Sequence, residues 1–231
     1  MVSQSPGVPI QSAVRASPAS RRNGGKISLP IEGPAEALER HVQALTRTYL
    51  ADFSAVMEQI TRMDVAAVVA RLRKARDSGA TIFIAGNGGS AATATHWAND
   101  LGKATRASGR AFMRVLSLSD NVSWLTALAN DEGYDRAFSG QLENLGRPGD
   151  VLIIISASGS SPNVLAAAAT ARAIGMVTIG LLGFDGGRLA GQTDAELLVR
   201  TPRGAYGIVE TAHSLLADVV TSCLIADRAA I

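Results

Sequence analysis

The stretch "FIAGNGGSAATATHWAND", residues 83–100, closes an apolar run with a glycine-rich turn and then presents His96 and Asp100 four positions apart. On a helix that spacing puts both side chains on one face, within reach of a single ligand or metal ion, although a solvated polar pair has the same spacing. The turn ahead of them, Gly86 to Ser90, leads from the apolar run into a helix. Backbone N–H groups without intrahelical partners and the positive helix end therefore converge on one point, which favours an anion. Gly86, Gly88 and Gly89 allow close approach, while Asn87 and Ser90 add polar contacts. A second loop, "SASGSSPN" over residues 156–163, sets four serine hydroxyls around Gly159, just before a helix beginning near Pro162 with Ser161 as its N-cap. Either loop alone reads as a turn; two of them at adjacent strand ends point to a phosphorylated small ligand. No nucleotide cofactor is expected. The first loop lacks the Gly-Lys-Ser/Thr of a Walker loop, and Gly86-Asn87-Gly88 runs on into Gly-Ser-Ala rather than completing G-x-G-x-x-G.

The elements that must position these groups follow from periodicity. Leu38, Val42, Leu45, Tyr49, Phe53, Val56 and Ile60 recur at three and four, the stripe of a long helix from Ala35 to about Ile60. A second helix follows, N-capped by Asp64 and closing near Ser78-Gly79, with Val65, Val68, Val69 and Leu72 inward. Two amphipathic helices ahead of any strand need a surface to pack on, and partner subunits supply one. Five short apolar runs then alternate with helical segments: "ATIFIAG", "AFMRVLSL", "DVLIIISAS", "MVTIGLLG" and "AELLVRTP". Runs without polar alternation suit strands buried on both faces. The expected architecture is a three-layer α/β sandwich with a five-stranded parallel sheet, with ligands beyond the carboxyl ends of the strands.

Composition bounds the rest. A chain of 231 residues with 47% hydrophobic and 18% charged residues can bury a sizeable core. Arg15, Arg21, Arg22 and Lys26 all precede the first acidic residue, Glu32, so a chain of net charge +2 leaves residues 32–231 at −2. The folded part gives no electrostatic reason to expect nucleic acid. Residues 1–33, rich in Ser, Pro and Arg, read as a disordered tail whose lack of acids also suits a transit peptide; residues 34–231 read as one domain including its N-terminal helices. No uninterrupted apolar run approaches the eighteen or so residues of a membrane span, and no secretory segment is seen, so the expected compartment is the cytoplasm. Cys223, the only cysteine, reads as a small core residue.

"AGNGGSAATATHWANDL", the long segment from "SLSDNVSWLTALANDEGYDRAF" through "GFDGGRLA", and "VETAHSLLADVV" resemble the sugar isomerase (SIS) domain family, in its phosphoheptose isomerase subgroup, over roughly residues 36–228. The resemblance implies a flavodoxin-like sheet and a homotetramer built partly through the N-terminal helices. It also implies conversion of sedoheptulose 7-phosphate to a heptose 7-phosphate by an aldose–ketose isomerase. Carried over position by position, phosphate contacts fall on Asn87 and Ser90 of the first loop, where Gly88 and Gly89 lie, and on Ser156, Ser158 and Ser161 of the second. Ser119 and Asp120 match a segment lining the same cleft. Ala157 replaces the family's usual threonine.

Such an isomerase needs a base near the substrate carbon and a group to stabilise the developing oxyanion. The resemblance makes His96 a metal ligand and Asp100 the base, where the family normally has the longer glutamate. On the last helix it puts Glu210 and Asp218 at functional positions, and Asp218 replaces the family's second histidine. The implied metal set is His96, Asp100, Glu210 and Asp218, suited to Mn²⁺ or Fe²⁺ as well as Zn²⁺. Asp100 and Asp218 are the catalytic candidates. His213, about 140° around the helix from Asp218, cannot substitute for the missing histidine and reads as a core or interface residue. Two alternatives stand beside the heptose isomerase: a non-catalytic SIS protein binding a phosphosugar or a protein partner, and an isomerase of another phosphosugar.

Overall fold

The computed structural model describes residues 34–227, and the tail expected over 1–33 lies outside them. Two units divide at residues 41 and 42. The first contributes, among the described residues, only the opening turns of helix α1, Pro34–Ile60, which then runs on into the second. Within the second unit the α1 stripe has two fates. Val56 and Ile60 enter the core, whereas Val42, Leu45, Tyr49 and Leu50 stay exposed. Helix α2, Val65–Ser78, starts and stops where its caps dictate: the Asp64 carboxylate accepts from the Ala67 N–H at 3.0 Å, and Gly79 turns the chain at φ 72°.

Strands β1 (Thr81–Gly86), β2 (Arg114–Ser117), β3 (Val151–Ser156), β4 (Val177–Gly183) and β5 (Ala195–Val199) pair in parallel in the order β2-β1-β3-β4-β5, the flavodoxin-like order. Alternation along β1 and β3 separates two cores. Ile82, Ile84, Ile153 and Ile155 face α2 together with α3 (Gly89–Lys103) and α7 (Tyr206–Ala226). Phe83, Ala85, Leu152 and Ile154 face α5 (Arg136–Leu145) and α6 (Pro162–Ile174). Helix α4, Val122–Asp131, packs beside α5. The expected helix between β4 and β5 is absent: a single 3-10 turn, Gly187–Leu189, makes the crossing.

Helix α7 is long and apolar enough to cross a membrane by length and composition, but its apolar residues serve the core, where Val209, Ala212, Leu216, Val220 and Leu224 are buried. Cys223 is exposed, contrary to expectation, because it falls outside that stripe. Trp97 is buried and donates to Thr221 Oγ1 at 3.2 Å, so it ties α3 to α7. At the far end of α7, Asp227 accepts from Arg73, Arg76 and Arg110, and the Arg76 hydrogen bond, with the other guanidinium charges, holds its carboxyl below the usual range.

His213 is fully buried on α7, where Nε2 donates to the Leu182 carbonyl at 3.1 Å and Nδ1 has no partner. Burial pushes its pKa down from 6.5 to about 4. The unfolded chain therefore binds a proton that the native state refuses between those two values, so stability is full above pH 6.5 and falls as pH drops toward 4. The contribution is at most about 3 kcal/mol. Urea midpoints measured from pH 7 to 4.5 should fall, and the fall should be shallower in His213→Gln.

Candidate functional site

From β1 the chain crosses to β2 on one side, and from β3 it crosses to β4 on the other, so a crevice opens where the carboxyl ends of β1 and β3 lie together. The turn after β1 is tight: a Cβ on Gly86 would strike the backbone of Ser90. Gly88, at φ 54°, then caps α3, whose first-turn N–H groups point into the crevice. The Ser119 hydroxyl donates to the Gly86 carbonyl at 3.1 Å and holds this turn from the β2 side. Asn87 and Asn163 exchange amide hydrogen bonds of 2.9 and 2.8 Å across the two loops, and the Tyr134 hydroxyl donates to Asn87 Oδ1 at 2.9 Å.

The serine loop is fixed by its own hydroxyls. Ser156 Oγ accepts from the Gly159 N–H at 3.1 Å, and Ser158 Oγ from the Ser160 N–H at 3.3 Å. Ser160 Oγ accepts from the Arg188 N–H at 3.1 Å, which seats the 3-10 turn against the loop. That contact requires Gly159, whose φ is +56° and whose Cβ would overlap the Gly186 carbonyl. Ser161 stands at the N-cap of α6, but its hydroxyl makes no capping bond. Between the loops is a cavity of about 130 Å³ lined by Asn87, Ser90, Ser156, Ser158, Ser161, Tyr206 and Glu210. It admits a phosphate-sized group. Tyr206 packs edge-on against Phe184 with centroids 5.0 Å apart, and Phe184 itself adopts φ 55°.

An adjoining cleft of about 350 Å³ runs over Gly89, Ala92, Thr93, His96, Glu210, Thr211 and Ser214. Glu210 belongs to both spaces, and a Cβ on Gly89 would overlap its carboxylate, so the glycine admits it. His96 Nε2 lies 3.2 Å from Asp100 Oδ2, and Asn99 donates to Asp100 Oδ1 at 3.1 Å. Asp218 of α7 joins them: the ligand atoms of His96, Asp100 and Asp218 all lie within 4.8 Å of one another. Glu210 does not join this group, although the sequence set includes it. Eight residues of helix separate it from Asp218, an axial rise of about 12 Å. Asp120 sits apart from both spaces, in a groove with Ser117 and Asn121, where it accepts from Thr95 Oγ1 at 2.5 Å.

One imidazole nitrogen and two carboxylate oxygens fit a divalent cation with positions left for substrate oxygens. Sequence reasoning assigned no role to Asn163 and Tyr134, which hydrogen-bond to Asn87, or to Tyr206, which lines the serine cavity. Asn163 closes the quoted serine loop and Tyr134 lies in the "NDEGYD" turn, but nothing local signals that they meet at Asn87.

Comparison with known proteins shows what this arrangement is similar to. The SIS domain family matches residues 48–183. A phosphoheptose isomerase of Paramagnetospirillum magneticum is 41% identical over 182 residues, covering 79% of this chain and 91% of that protein. One from Trichlorobacter lovleyi is 40% identical over 175 residues, covering 74% and 88%. The solved structure of a phosphoheptose isomerase from Neisseria gonorrhoeae superposes with a TM-score of 0.71 at 30% identity, covering 81% of this chain and 98% of that one.

The three-residue grouping makes a prediction about metal affinity. In Mn²⁺ titrations followed by electron paramagnetic resonance, His96→Ala or Asp218→Ala should weaken binding by about tenfold or more, while Glu210→Gln should change it by less than about twofold. Equal losses in all three would restore the four-residue set.

Proposed function

Because the chain belongs to the SIS domain family, we propose that it is a phosphosugar aldose–ketose isomerase converting sedoheptulose 7-phosphate to D-glycero-D-manno-heptose 7-phosphate. The observation that carries this reading is the order of groups along the crevice: a phosphate-sized serine cavity, then Glu210, then the cleft of His96 with Asp100 and Asp218 beside it. In a heptulose 7-phosphate the phosphate and the reacting carbons sit at opposite ends of the chain. With the phosphate among Ser156, Ser158, Ser161 and the first turns of α3 and α6, the sugar runs past Glu210 and its C1–C2 end meets the cluster.

Asp100 removes a proton from C1, exchanges it with solvent and delivers one to C2, and Asp218 carries the hydroxyl proton from O1 to O2, so the carbonyl moves from C2 to C1 with no net loss of protons. His96 and Asn99 hold the Asp100 carboxylate from its two oxygens and fix its direction. A divalent cation held by His96, Asp100 and Asp218 would supply Lewis acidity at the carbonyl oxygen. The Glu210 carboxylate accepts from mid-chain hydroxyls. The homotetramer that the resemblance implies is supported by the exposed apolar stripe of α1, Val42, Leu45, Tyr49 and Leu50. A single cysteine, with no disulfide to form within the chain, agrees with a cytoplasmic enzyme.

Incubation with sedoheptulose 7-phosphate in D₂O, followed by NMR, should yield the aldose with deuterium at C2. Asp100→Asn should lower kcat by about 10²–10⁴-fold. Undiminished turnover in that variant would move the base to Glu210, and no turnover by the wild type with added Mn²⁺ or Zn²⁺ would overturn the heptose reading.

A further inference from the structure

The two loops that form the serine cavity are joined by one closed pair of side chains. Asn163, in the first turn of α6 and only 1% exposed, donates from Nδ2 to Asn87 Oδ1, and Asn87 Nδ2 donates back to Asn163 Oδ1. Tyr134 adds a second donor to the same Asn87 oxygen. Rotating either carboxamide breaks both bonds of the pair and leaves buried polar atoms unmatched, so the pair fixes the planes of both amides. The Asn87 oxygen is thereby taken up by two donors. One of the two Asn87 N–H groups is committed to Asn163, and the other is left for the cavity that Asn87 lines. Asn163 does not itself line that cavity.

We propose that Asn163 is a positioning residue for phosphate: through Asn87, and with the help of Tyr134, it aims the remaining amide N–H at a phosphate oxygen and sets the spacing between the β1 loop and the serine loop. This rests on reading the serine cavity as the phosphate site. An amide suits position 163 because it donates and accepts at once. A carboxylate there would face Asn87 Oδ1 without a donor and would set a negative charge behind an anion site. The same N–H meets the phosphate in the bound substrate and in the transition state, so its loss weakens both alike and raises KM without lowering kcat.

The test titrates inorganic phosphate by calorimetry, and measures KM and kcat for sedoheptulose 7-phosphate, in the wild type, Asn163→Ala and Tyr134→Phe. Asn163→Ala should raise the phosphate Kd and KM together by about tenfold with kcat within about twofold, and Tyr134→Phe should raise both by about threefold. Tyr134 is exposed, so its variant keeps the core intact and decides the matter should Asn163→Ala fail to fold. Failure of the wild type to bind phosphate overturns the reading of the cavity itself. A wild type that binds, with variants of unchanged Kd or with kcat reduced at constant KM, overturns the positioning role of Asn163.

Discussion

The parallel pairing of β1 with β3 is the constraint on which the rest depends. The two strands are neighbours in the sheet but not in sequence, and their following segments leave in opposite directions, to β2 and to β4. Two loops that both open into helices are therefore held side by side at the carboxyl edge. On the proposed reading, neither has to be an anion site alone, because both helix starts border the same small volume. The register that places Gly86 opposite Ile155 carries both loops out of the sheet at one level, which is what lets Asn87 and Asn163 reach each other.

The other half of the site depends on where α7 lies, and α7 is docked along its whole length. Near its start Val209 packs where a Cβ on Gly183 would stand, so β4 ends in glycine because the helix comes close. One turn on, His213 spends its only proton on the Leu182 carbonyl; further along, Thr221 accepts from Trp97, and Asp227 closes the helix among three arginines. These contacts span both Glu210 and Asp218. A rigid helix thus carries one carboxylate to the mouth of the serine cavity and the other, about 12 Å away, to His96 and Asp100.

Strands, caps and loops are legible in the sequence because their signals are local. Continuous apolar runs mark the doubly buried strands β1, β3 and β4, although the run at β2 forms a half-exposed edge strand; Asp64 and Gly79 mark the ends of α2, and glycine and serine mark the two loops at the carboxyl edge. The residues that were not legible act over long separations. Asn163 and Tyr134 meet Asn87 from 76 and 47 positions away, and no spacing rule connects them. The resemblance grouped Glu210 with the cluster, and eight residues of helical rise part it from Asp218. Cys223 was assigned to the core on residue type, whereas the burial stripe of α7 passes it by. The exposed half of α1 was legible as a stripe in need of a partner, and a single chain leaves it open.

Asp100 and Asp218 stand where the resemblance expects glutamate and histidine, yet with His96 they still converge within 4.8 Å. The substitutions therefore change the donors while the meeting point persists. Exchanging a nitrogen for an oxygen moves the set toward harder cations. Glu210 borders the serine cavity, where a phosphate dianion beside it would be unfavourable. Its carboxylate lies against Gly89 at the start of α3, so that positive helix end already faces a negative charge, and the start of α6 with the Ser161 hydroxyl is the end left uncommitted. On the proposed reading this charge pattern orders the substrate along the crevice: phosphate toward the start of α6, hydroxyls against Glu210, carbonyl at the cluster.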